Sequence, residues 1–60
     1  MKAENIEVRQ DVHTKMFYAT CYVRELGEIM QWGTTHEFAR LNLKTYVVDV
    51  LHNIEWPEGE

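Results

Sequence analysis

The 60-residue sequence is poor in the residues that build several common kinds of site. It holds one cysteine, one proline and three glycines. A lone Cys21 leaves no intramolecular disulfide, so a disulfide-stapled secreted fold is excluded. Gly27 and Gly33 are too few and too separated to form a phosphate-cradling loop. No apolar run approaches the length of a membrane span. The opening "MKAENIEV" lacks the apolar stretch of a secretory signal, so a cytoplasmic protein is expected. Basic residues are also in the minority: 6 Lys and Arg stand against 10 Asp and Glu, a formal net charge of −4. A negative field repels phosphate. It argues against nucleic-acid binding by this chain alone and makes a basic protein the easier partner.

What is present is apolar material in quantity. Hydrophobic residues make up 45% of the chain, and 2 Trp, 3 Tyr and 2 Phe are among them. That composition fits a packed globule and not a disordered segment. A domain this small buries only about 60% of the surface its unfolded chain exposes. A second surface that extends the core would therefore be favourable. One domain over residues 1–54, followed by an acidic tail over 55–60, is expected.

Period-two alternation marks the first strand: Ile6, Val8 and Val12 against Glu7, Arg9 and Asp11. "DVHTK" supplies polar residues for a reversal, with no Asn-Gly pair to fix its type. "KMFYATCYVREL" then places Phe17, Ala19, Cys21 and Val23 on one face and Met16, Tyr18, Thr20 and Tyr22 on the other. Neither face is plainly polar, so both are expected to be covered, one by a helix and the other by a second subunit. Leu26-Gly27-Glu28 breaks the run, and "EIMQW" reads as a short third strand ending at Gly33. Connections this short predict antiparallel pairing.

"TYVVDVL" is rich in strand formers, yet the longer pattern predicts a helix over about residues 35–53. Ala39, Leu43, Tyr46, Val47, Val50 and Ile54 fall on one stripe at helical spacing. Thr34 with Glu37 fits a capping box, with Thr35 as the alternative cap. Leu41 and Val48 lie opposite the stripe. Pro57 disfavours helix at Trp56, which is expected to fold back on the domain. The fold class is α+β: a three-stranded antiparallel meander with one helix on a face.

The order β-β-β-α, carried by "FYATCYVRELGEIMQWGTTHEFARLNLKTYVVDVL", resembles the N-terminal domain of HicB-type antitoxins and their short stand-alone relatives. The matching positions are Phe17-Tyr18-Ala19, Gly27, Gly33, Thr35, Glu37 and Ala39. "VRELGE" lacks the family's loop proline, and His36 and Phe38 depart from its usual residues. The resemblance implies a protein-binding module that neutralises a small basic RNA-cleaving toxin. The family's separate DNA-binding domain has no counterpart in these 60 residues.

Reactive side chains are scattered. His13, His36, His52 and Cys21 have no metal-site spacing, and His36 and His52 would lie roughly 24 Å apart on one helix. Cys21 has no His or Lys beside it to activate a thiolate. No catalytic residue, metal or cofactor is expected. The sequence-based reading is a non-enzymatic binding module. Its candidate interface residues are Tyr18, Tyr22, Trp32, Phe38, Leu41 and Val48, and it is expected to form a homodimer or higher homo-oligomer. The rival readings are a self-associating structural domain and, third, an RNA- or DNA-binding sheet using Tyr18, Tyr22 and Trp32 to stack bases.

Overall fold

The computed structural model describes residues 1–57. Three strands, β1 (Ala3–Gln10), β2 (Phe17–Val23) and β3 (Gly27–Gly33), form one antiparallel sheet in the order β1-β2-β3. A single helix follows, and it changes winding part-way: α1 is α-helical over His36–Thr45 and continues as a π-helical segment over Tyr46–Leu51. The expected β-β-β-α order and the antiparallel meander are what the chain adopts.

The first hairpin is built by Asp11. Its carboxylate accepts from the His13 N–H at 3.0 Å and the Thr14 hydroxyl at 3.1 Å. The Lys15 N–H bonds the Asp11 carbonyl at 2.9 Å, and the Asp11 N–H bonds the Met16 carbonyl at 2.8 Å. Lys15 completes the reversal at φ 65°. Val12, expected to continue the apolar face of β1, lies in this loop and is 75% exposed. The strand ends two residues before it, so alternation no longer governs its direction. At the second hairpin the Leu26 N–H donates to the Val23 carbonyl, and Gly27 sits at φ 91°, a region that favours glycine.

The core lies between one face of the sheet and the helix. Ala3, Ala19, Cys21 and Val23 supply the sheet side, Ala39, Leu43 and Val47 the helix side, and Ile54 closes one end. The helix starts close to the sheet because the residues beneath it are small. A Cβ built on Gly33 would lie 2.3 Å from the Ala39 backbone nitrogen, so only glycine fits there. His36 opens the helix with its ring edge-on to Phe17, centroids 6.3 Å apart.

Thr35 is the cap, at φ −132° and ψ 164°, its hydroxyl accepting from the Phe38 N–H at 3.0 Å. The capping box assigned to Thr34 and Glu37 is therefore corrected. With Thr35 as cap, Phe38 is its third helical residue, and Glu37 falls one place short of the box geometry. Val50 is a second correction. Helical spacing puts it on the buried stripe, yet it is 59% exposed. A π-helical turn holds more residues than an α-helical one. Beyond Val47 the wider winding turns half-buried Leu51 toward the core in place of Val50. The helix also stops at Leu51, short of residue 53, because His52 and Asn53 both take positive φ, 58° and 55°.

After this break the chain returns to the sheet. The Ala3 N–H bonds the Glu55 carbonyl at 3.0 Å and the Glu55 N–H bonds the Met1 carbonyl at 2.9 Å, a parallel bridge between Lys2 and Glu55. Trp56 is half-buried and packs against the core. Glu55 and Trp56 thus belong to the packed unit, while residues 58–60 lie outside the described residues.

Candidate protein-binding face

None of the seven aromatic side chains is fully buried, and the largest fully buried groups are Leu43, Val23, Val47 and Cys21. Aromatic residues ordinarily dominate small cores because they remove the most apolar area from water. Here small and aliphatic residues fill the core, and much of the aromatic surface stays in contact with solvent.

The strand register fixes where that surface lies. On the sheet face away from the helix, pairing aligns Arg9 with Tyr18 and Trp32, Glu7 with Thr20 and Met30, and Glu4 with Tyr22 and Glu28. Tyr22, Met30 and Trp32 are 43%, 43% and 41% exposed. Tyr18 and Trp32 pack as a tilted pair with ring centroids 5.2 Å apart, each limiting the other's freedom. Arg9 is turned along its own strand to Glu7, Nη2 to Oε1 at 3.0 Å. That hydrogen bond, with the carboxylate's charge, raises the guanidinium pKa further above its ordinary value. The three carboxylates Glu4, Glu7 and Glu28 outnumber this one cation across the paired rows. A groove runs between Glu7, Arg9, Tyr18, Thr20, Glu28 and Met30. The face is therefore aromatic and acidic together.

Of the six residues singled out from sequence, Tyr18, Tyr22 and Trp32 share this face, with Tyr18 half-buried. Phe38, Leu41 and Val48 are exposed on the helix, which packs on the other side of the sheet. The structure therefore divides the six into two separate patches. Met30, Glu4 and Glu7 were missed as members of the sheet patch. Alternation in "EIMQW" placed Met30 and Trp32 together, but the acidic rim needed the register with β1.

Cys21 is buried on the core face, and desolvation pushes its thiol pKa up, which disfavours the thiolate. Among the described residues, no group of three or more His, Cys, Asp or Glu side chains is arranged to hold a metal ion. No helix among them is long and apolar enough to cross a membrane. No protein-family model, curated protein or solved structure matches the chain.

Proposed function

We propose that this chain is a non-enzymatic protein-binding module whose working surface is the open face of its sheet. The observation that carries this reading is the outward placement of Tyr18, Tyr22, Met30 and Trp32 beside Glu4, Glu7 and Glu28. Tyrosine and tryptophan supply large, stiff contact area at low entropic cost, and a carboxylate rim attracts cations. The partner of that chemistry is a basic protein. The HicB-type resemblance makes a small basic RNA-cleaving toxin the specific form of this reading, with the chain as its neutraliser. A nucleic-acid strand would use the same aromatics, but it would meet three carboxylates where it needs cations.

The test begins with proteins that co-purify with the native chain from its own cells, identified by mass spectrometry. Purified partner is then titrated calorimetrically with wild type and with Trp32→Ala. The expected result is one stoichiometric basic partner whose affinity falls at least tenfold with Trp32→Ala, weakens with added salt, and whose RNA cleavage stops on binding. Equal affinity of wild type and Trp32→Ala would overturn the assigned face. Undiminished cleavage by the saturated complex would remove the neutraliser role.

A further inference from the structure

The two edges of the sheet are finished differently. At β1 the register shifts between Glu4 and Glu7, Asn5 sits at φ 53°, and Glu55 already occupies the backbone groups near Ala3. Bulges, charges and covering segments are the usual means of blocking strand addition. The other edge, β3, has no proline, no lysine and no register shift, and Glu28 is its one charged residue.

The direction of the β3 backbone groups follows from two observations. The Trp32 carbonyl accepts from the Asn42 side chain on α1 at 2.8 Å, so it points away from β2. Alternation along an antiparallel pair then turns the N–H and C=O of Met30 and Glu28 outward as well. Beside this edge runs a groove of mixed character between β3 and the π-helical segment, with apolar Leu26, Ile29, Met30, Tyr46 and Leu51 alongside polar Glu28 and Gln31.

We propose that two copies of this chain join along β3, antiparallel and two-fold about Ile29, into one continuous six-stranded sheet. The register follows from charge and hydrogen bonding. A two-fold about Glu28 would set two carboxylates face to face. A two-fold about Met30 or Gln31 would require the Trp32 carbonyl that Asn42 already holds. Centring on Ile29 avoids both conflicts. Glu28 exchanges backbone hydrogen bonds with the partner's Met30, and Met30 with the partner's Glu28. Ile29 meets the partner's Ile29 as a non-hydrogen-bonded pair over the groove, where Leu51 and Tyr46 of both copies cover it. The outer faces of the two copies then form one surface, displaying the aromatic and acidic rows twice. This assembly does not depend on the binding partner proposed above.

The test uses disulfide trapping and sedimentation. In a Cys21→Ala background, Ile29→Cys places two thiols across the two-fold. Non-hydrogen-bonded pairs hold their Cα atoms about 4.5 Å apart, within disulfide range. Gln31→Cys in the same background would leave its thiols four residues out of register, about 13 Å apart. Mild oxidation should give covalent dimer with Ile29→Cys and not with Gln31→Cys. Sedimentation of the wild type at micromolar concentration should give twice the 7.2 kDa chain mass. Met30→Pro, which deletes an outward N–H, should halve that mass, and Tyr22→Lys on the central strand should not change it. Monomeric wild type at hundreds of micromolar, trapping at Gln31 in place of Ile29, or loss of the dimer with Tyr22→Lys would each overturn the proposal. The trapping result decides it even if Met30→Pro fails to fold.

Discussion

The two halves of the helix are held by different forces. The first half, His36–Thr45, has a cap, a first hydrogen bond from the Ala39 N–H to the Thr35 carbonyl, and Gly33 cleared to receive it. The second half, Tyr46–Leu51, carries β-branched Val47, Val48 and Val50, residues that crowd a helix at χ1. It ends on His52 at φ 58° and ψ 164°, a conformation that is nearly glycine-only. Val47 and Leu51 anchor this half to the core, while Val48 and Val50 face solvent. Capping and close packing set the first half, and burial of Val47 and Leu51 sets the second against its own propensity.

A charge placed at two positions three residues apart should have very different effects in this second half. Val47→Asp buries an unpaired carboxylate and should cost several kcal/mol, enough to unfold a domain this small. Val50→Asp should change stability by no more than about 0.5 kcal/mol, because its side chain already meets water. Thermal melts of the two variants compare them directly, and equal destabilisation would restore uniform α-winding through Val50.

A smaller effect tests the first half alone. Thr35→Ala should lower stability by about 1 kcal/mol, whereas Thr34→Ala should stay within roughly 0.5 kcal/mol of wild type. Chemical denaturation resolves the two, and the reverse order would move the cap. The smallest expected effect is a gain. His52→Gly should stabilise the fold by about 1 kcal/mol by relieving the backbone at the end of the π-helical segment. A loss in its denaturation midpoint would mean that the imidazole contributes more than the strain costs.

These same regions show what the sequence carried and what it did not. Alternation from Phe17 to Val23 read both strand faces correctly, because a two-residue period survives any register. Ala39, Leu43 and Val47 were readable because the winding up to there is α-helical or nearly so. Val50 was not, since a 3.6-residue period contains no provision for the wider turn that begins at Tyr46. The cap was narrowed to two adjacent threonines, and only the position of Phe38 N–H selects between them. On the candidate face, Tyr18, Tyr22 and Trp32 came from alternation within strands. Alternation in β1 sets Glu7 opposite Ile6 and Val8, but the cross-strand neighbours of Glu7, and the side that Glu4 takes, came from a bulged pairing that no local pattern encodes.

The two tryptophans occupy contrasting surroundings. Trp32 lies open on the outer sheet face, while Trp56 packs against the core with its indole nitrogen out of water and unbonded among the described residues. Indole emission shifts to longer wavelength as water reaches the ring, so the folded chain contains two fluorophores of different colour. The red-side signal from Trp32 reads what settles on the sheet, and the blue-side signal from Trp56 reads whether the returning segment stays in place. One unlabelled sample therefore reports docking and unfolding as separate spectral changes.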